Sequence, residues 1–256
     1  MSALLTIDDL AVSFQSRGGA SSRRTMAVDG LRFSVARGQT VAVVGESGCG
    51  KSVSAMSVLR LLPEPSARYE RGSIRFTRPG GESVDLLRAP MKALRRIRGG
   101  EIAMVFQEPM TSLNPVYTVG DQLLEAIELH QGLRGKRAVE SAVSAMERVG
   151  IRDARARLRD YPHEYSGGMR QRVMIAMALA CEPSLLIADE PTTALDVTVQ
   201  AKILELLDGL RQDRDMCMGD GWWSSVRSRP SSRTRCTRTR AGCSRASRVC
   251  GIGARV

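Results

Sequence analysis

Apolar and polar positions alternate loosely over residues 3–14, ALLTIDDLAVSF, which predicts an early β-strand ahead of a Gly/Ser/Arg loop at 16–25. GLRFSV repeats the alternation and predicts a second strand. GQTVAVVG is apolar at successive positions instead, as expected for a strand of a parallel sheet buried on both faces. After Lys51 the spacing turns helical in SVSAMSVLRLL and stops before Pro63, and residues 72–87 read as short strands around the turn RPGGE. From about 118 to 165 the chain becomes helix-rich. VGDQLLEAIELHQ and KRAVESAVSAMERVG are the amphipathic candidates there, with Gly150 as the C-cap of the second. A long helix near 168–180, a second buried strand SLLIA and a helix at about 197–211 follow. The pattern is an α/β domain interrupted by a helical insertion, with no internal repeat.

Composition alters this picture in one place. The 256 residues are 43% apolar, enough for one large domain or two small ones. The formal net charge is +11, but residues 217–256 hold nine arginines against the single acid Asp220 and account for +8 of it. The basic signal therefore belongs to the tail and says little about partners of residues 1–216. Cys217, Cys236, Cys243 and Cys250 also lie in the tail, leaving Cys49 and Cys181 in the body. Two cysteines without framework spacing suit a reducing compartment. The stretch MSALLTIDDL has neither a basic region nor a long apolar one, so no signal peptide is expected, and no apolar run reaches the length of a membrane span.

GESGCGKS, Gly45–Glu46–Ser47–Gly48–Cys49–Gly50–Lys51–Ser52, fits G-x-x-x-x-G-K-[ST] between an apolar strand and a helix. Glycines at 45, 48 and 50 let the backbone wrap so that its N–H groups face a triphosphate, and the helix that follows points its positive end at the same anion. Lys51 is placed for the β- and γ-phosphates and the Ser52 hydroxyl for Mg²⁺. Cys49 reads as a small residue in a crowded loop. The loop alone does not separate a kinase, a GTPase and a transport ATPase.

LLIADEP, residues 185–191, is an apolar strand that ends in two acids. Buried carboxylates are costly without a partner, and Mg²⁺ held by Asp189 supplies one, with Glu190 as general base for the attacking water. The alternative is a solvated turn.

Three motifs in order carry a family resemblance. YSGGMRQR at 165–172 resembles the signature of ATP-binding-cassette (ABC) ATPases, DEPTTALD at 189–196 resembles their Walker B and D-loop, and Gln107 in MVFQEPMTSLNP matches their Q-loop. The wording of 104–115 is similar to the oligopeptide, dipeptide and nickel importer branch. The resemblance covers residues 1–216. It implies a RecA-like P-loop NTPase core with N-terminal antiparallel strands and a helical insertion subdomain over about 118–180. It also implies roles: Phe14 stacks on adenine (or is a core strand residue), and Gln107 senses Mg²⁺ and water while moving the insertion. Ser166, Gly167 and Gly168 form an anion site for the γ-phosphate bound to the opposite subunit, and Asp196 sits at the dimer seam. Met169 stands where many members carry Gln, which leaves the Ser-Gly-Gly amides in place. His163 reads as a packing residue beside the signature.

The implied protein binds ATP and Mg²⁺ and energises an importer of peptides or a related small solute. Its expected partners are membrane-spanning permease subunits, a second ABC ATPase subunit and, indirectly, a solute-binding protein. The expected location is peripheral, at the cytoplasmic face of the cell membrane. A soluble cassette acting on DNA or ribosomes fits less well, since no long coiled-coil insertion is present.

The family pattern fails after about residue 216. A buried parallel strand ending in a histidine should follow the helix VTVQAKILELLDGLRQD, but MCMGDGWWSSV lacks the β-branched run and no histidine occurs after His163. Residues 217–256 read as an aberrant Arg/Ser-rich tail that builds no core, which points to a reading-frame shift near 216 and a core lacking its C-terminal part. The tail cysteines contain no C-x-x-C pair for zinc, and nucleic-acid binding by the arginines is read as incidental. A cassette impaired in hydrolysis, or a non-catalytic one, is the alternative function.

Overall fold

The computed structural model describes residues 3–15, 24–46, 48–106, 112–189, 217–220 and 250–251. The chain divides into two compact units, residues 1–94 with 217–256, and residues 95–216.

In the first unit, β1 (Ala3–Gln15), β2 (Arg24–Ala36), β4 (Ala67–Thr77) and β5 (Ser83–Asp85) form a sheet in the order β2-β1-β4-β5. All its neighbours are antiparallel. Leu4, Leu5, Ile7, Leu10, Ala11 and Val12 of β1 are at most 3% exposed, so this strand is the buried spine of the sheet. β4 is longer than the short strands predicted for 72–87. The polar stretch ARYER pairs with β1 from Ala67 onward because ladder bonds are made by backbone, whatever the side chains.

β3 (Thr40–Val44) enters the loop that precedes α1 (Lys51–Val58). This helix is shorter than its sequence pattern. It is capped at Leu59, and Arg60 takes φ +48, which ends the helical run before Pro63.

Beside β3 lies the clearest departure from expectation. Cys217–Asp220 forms β8, parallel to β3 with Thr40, Val41 and Ala42 opposite Met218, Gly219 and Asp220. Cys250–Gly251 forms β9, parallel to Val43 and Val44. The sequence lacks the apolar run of a buried strand here, yet short pieces of tail take strand positions, since a parallel ladder demands only backbone donors and acceptors. The remainder of the tail and the helix expected at 197–211 lie outside the described residues.

α2 (Met91–Ile97), which the spacing did not announce, leads toward the second unit. There β6 (Ile102–Val105) and β7 (Leu185–Ala188) pair in parallel, with Ile102 opposite Leu185 and Val105 opposite Ala188. Every residue of β7 is buried, as its unbroken apolar sequence requires.

The helices are α3 (Val119–Gln131), α4 (Lys136–Arg148), α5 (Ala154–Arg157) and α6 (Gly167–Ala180). α3 starts at a capping box: the Asp121 N–H donates to the Thr118 hydroxyl at 3.1 Å, and the Asp121 carboxylate accepts from the Thr118 N–H at 3.2 Å. On α4, Ala138, Ala142, Ala145 and Met146 are buried at helical spacing. Gly150 follows the Val149 cap with φ +75, and its N–H donates to the Glu147 carbonyl. At the far end of α6 the Gln131 amide donates to the Ala180 carbonyl, tying the helix to α3. The Cys181 thiol donates to the Ala126 carbonyl, and burial pushes its pKa up to about 11. Among the described residues no helix is long and apolar enough to cross a membrane.

Candidate functional site

The phosphate-loop candidates lie in the first unit. Gly48 and Gly50 take φ +81 and +94, whereas Gly45 is not left-handed. Gly50 has two independent reasons to be glycine. Its φ suits no β-carbon, and a Cβ there would stand 2.4 Å from the Ala27 carbonyl oxygen and 3.0 Å from Val28 Cγ2. The loop is therefore pressed onto β2 by backbone contact. Its turn is closed by the Cys49 N–H donating to the Glu46 carbonyl at 3.2 Å, and Cys49 is buried, as a loop-filling residue should be.

Lys51 folds back over this loop. Its Nζ donates to the carbonyls of Gly45 at 2.8 Å and Glu46 at 3.1 Å. The ammonium is thus held at the loop by the loop's own backbone. Ser52 stands half-buried in the first turn of α1, and behind it the Ser54 hydroxyl donates to the Gly50 carbonyl at 2.8 Å. Phe14 is half-buried on β1, between Thr25 and Ala67 of the adjacent strands. Two residues earlier, Val12 pairs with the same Val28 that Gly50 touches. Ser47 lies outside the described residues.

The second unit holds the other candidates. Asp189 follows β7, half-buried, with its N–H donating to the Val105 carbonyl at 3.0 Å. That bond extends the β6–β7 ladder by one residue and places the carboxylate where the buried strand ends. Gln107, Glu190 and Asp196 lie outside the described residues.

Ser166 is the N-cap of α6, its hydroxyl accepting from the Met169 N–H at 3.4 Å. Gly167 is exposed, and a Cβ built on it would meet nothing within 4 Å. Among the described residues no packing demands this glycine. Met169 leaves the first amides of α6 in place.

The surroundings of this turn escaped the sequence reading. Tyr165 is 2% exposed and its hydroxyl donates to the Arg157 carbonyl at 2.6 Å. Burial, with the Asp160 carboxylate, pushes its pKa up to about 12, so the phenol keeps the proton it donates. Arg170 donates to the carbonyls of Pro162 at 2.7 Å and His163 at 3.3 Å. Arg172 donates to the Val149 carbonyl at 2.9 Å, occupying space that a Cβ on Gly150 would contest at 2.6 Å. His163 is exposed and stacks on Tyr161, as a packing residue would. The only advance signal for these contacts was a tyrosine and two arginines inside the signature stretch, because carbonyl partners leave no mark on a sequence.

A glycine-rich loop between a strand and a helix in the first unit, and in the second an acid at the end of a buried strand and a helix that starts at two glycines, are features of the P-loop class of fold. Residues 28–193 match the ABC transporter family, and the chain belongs to it. A Brucella melitensis relative whose name places it in peptide import is 53% identical over 215 residues, 84% of this chain and 62% of its own. The dipeptide transport ATP-binding protein DppD of Bacillus subtilis is 50% identical over 216 residues, with the same coverage of 84% and 62%. The peptidoglycan transport ATP-binding protein YejF of Agrobacterium fabrum is 54% identical over 215 residues, 84% of this chain and 38% of its own. The chain thus spans under two thirds of the length of these relatives.

Among solved structures, a dimeric post-hydrolysis state of the ATP-binding cassette MJ0796 bound to ADP and Pi superposes with TM-score 0.69 at 23% identity. The superposition covers 85% of this chain and 88% of that one. This establishes the cassette fold predicted from the three motifs.

Proposed function

We propose that the chain is the ATP-binding and ATP-hydrolysing subunit of an ABC importer for peptides or a related small solute. The observation that carries this reading is the Lys51 ammonium tethered to the Gly45 and Glu46 carbonyls, in a loop whose shape Gly50 fixes. A cation and a row of amides at a helix start form a receptor for phosphate. The names of relatives at 50% to 54% identity support the transport role.

Each residue has a task. Lys51 exchanges its two carbonyl partners for phosphate oxygens. Gly48, Cys49 and Gly50 contribute amides, and Phe14 supports the base. The Ser52 hydroxyl and the Asp189 carboxylate are each a hard oxygen donor of the kind that would hold Mg²⁺, whose remaining ligands would come from phosphate and water. Bound there, Mg²⁺ would neutralise charge on the phosphate oxygens. Gln107 and Glu190 orient the attacking water and take its proton, and the Ser166–Gly168 amides of a second subunit complete the site, with Asp196 at the seam. ATP binding then closes a pair of subunits, and hydrolysis reopens it. The insertion passes the movement to membrane-spanning permeases fed by a solute-binding protein, with this subunit docked at the cytoplasmic face of the membrane.

Phosphate release by the purified chain tests the hydrolytic part. Glu190→Gln is expected to lower turnover by about 100-fold or more, as loss of a general base does. Equal turnover in the two proteins would refute the assignment.

One observation favours a second reading, a cassette that binds nucleotide but turns over poorly. Similarity to the relatives extends over 215 or 216 residues, and the composition changes near residue 216. Resequencing the locus and assaying a frame-corrected chain beside this one separates the readings. A large gain in turnover on correction supports the second, and equal rates exclude it.

A further inference from the structure

The first turn of α6 is poorly fixed by its own atoms. Gly167 and Gly168 carry no side chains to restrict the backbone, and glycine loses more freedom on ordering than any other residue. The Ser166 cap bond, at 3.4 Å, is longer than the roughly 2.7–3.2 Å of an ordinary N–H···O bond. Among the described residues nothing packs within 4 Å of a Gly167 Cβ. Yet these amides must point in one direction if they are to receive an anion.

The restraint comes from one turn further along the helix. The Arg170 N–H makes the ordinary helical bond to the Ser166 carbonyl at 2.9 Å, while its guanidinium reaches back past Ser166. Nε donates to the Pro162 carbonyl at 2.7 Å and Nη2 to the His163 carbonyl at 3.3 Å. Those carbonyls belong to the 3₁₀ turn Pro162–Glu164, which is closed by the Glu164 carboxylate accepting from the Tyr161 N–H at 2.6 Å. Tyr165, next in sequence, is pinned by its bond to the Arg157 carbonyl. Ser166 is therefore suspended between a buried tyrosine and a charged strap. Charge-assisted bonds are stronger than neutral ones, and a planar fork addresses two carbonyls where an ammonium offers a point charge.

We propose that Arg170 is a positioning residue for the composite nucleotide site: by strapping the Pro162–His163 turn to α6, it fixes the direction of the Ser166–Gly168 amides that a second copy's nucleotide meets. This rests on the proposed cassette reading and adds a residue to it. Arg170 touches no nucleotide in this scheme. Its effect belongs to the pairing step, and binding at the Lys51 loop of a single copy is independent of it.

The test uses the full chain carrying Glu190→Gln, to slow turnover, with Arg170→Met and Arg170→Lys built on it. ATP affinity is read on dilute, monomeric protein with a fluorescent ATP analogue, and ATP-driven dimerisation by sedimentation. Amide hydrogen exchange is followed over 161–168 and 40–58. Arg170→Met is expected to leave monomer affinity and exchange over 40–58 unchanged, to speed exchange over 161–168, and to weaken ATP-driven dimerisation by about tenfold, the scale of losing a charged hydrogen bond. Arg170→Lys is expected to recover part of the dimerisation.

Unchanged dimerisation in Arg170→Met overturns the proposal, as does a loss of monomer affinity together with faster exchange over 40–58, which would make the residue merely structural. Lys51→Ala distinguishes the two levels. If it leaves nucleotide binding intact, or if the parent chain binds ATP and stays monomeric, the cassette reading beneath the proposal fails. If Lys51→Ala abolishes binding while Arg170→Met behaves as its parent, only the role of Arg170 fails.

Discussion

The described residues include the glycine-rich helix starts at Gly50 and Gly167, and they are built in opposite ways. At Gly50 the backbone is forced against β2, with no room for a Cβ, and Lys51 closes over the loop from inside. At Gly167 none of the described residues crowds a Cβ, and the turn is held from outside by Tyr165 and Arg170. On the proposed reading, the first receives the phosphates within its own copy. On the same reading, the second completes a site in another copy. Glycine serves tight backbone packing in one case and is not required by the packing of the described residues in the other.

Substitutions should break the two regions differently. The largest effect is expected from Gly50→Ala, where the added Cβ meets the Ala27 carbonyl oxygen at 2.4 Å and φ is +94. A cost of about 2–4 kcal/mol, read by urea unfolding, is the scale for strain combined with overpacking, and ATP affinity should fall with it. Tyr165→Phe should cost about 1 kcal/mol in the same measurement, since it removes one of the two bonds to the Arg157 carbonyl and leaves only that from the Asp160 N–H. Gly167→Ala should move stability by no more than about 0.5 kcal/mol, as at other open positions. It should nevertheless reduce ATP-driven dimerisation measured by sedimentation, and a large stability loss there would erase the contrast.

The smallest effect concerns His130, whose ring lies against the Gly99–Gly100 turn, a Gly99 Cβ being 2.8 Å from Nε2. Burial lowers its pKa, so the folded chain binds this proton less readily than the unfolded one. The stability it contributes is complete above the unfolded value of about 6.5 and is lost as pH falls from there through the lowered folded value. His130→Gln should flatten the pH dependence of thermal unfolding in that window; an unaltered slope would remove the attribution.

Much of this was legible because side-chain pattern encodes it. The Lys51 loop between an apolar strand and a helix, the unbroken LLIA before Asp189, and the periodicity of 119–131 and 136–148 all appear where their sequences placed them. What stayed hidden is backbone business. ARYER joined a sheet on ladder bonds alone, and Cys217–Asp220 settled beside β3 without a β-branched residue. Arg170 and Arg172 found carbonyl partners, which carry no residue type to read. Gly50 announced itself as part of a motif, but its packing reason, the Ala27 carbonyl, lies on a strand some twenty residues earlier.

The decisive measurement is calorimetric titration of ATP and Mg²⁺ into the intact chain and into Lys51→Ala. The intact chain should bind one nucleotide per copy, and the variant about 100-fold more weakly, since a charged contact to phosphate is lost from a partly enclosed site. Equal affinities would mean that the loop over which Lys51 folds is not where the nucleotide goes.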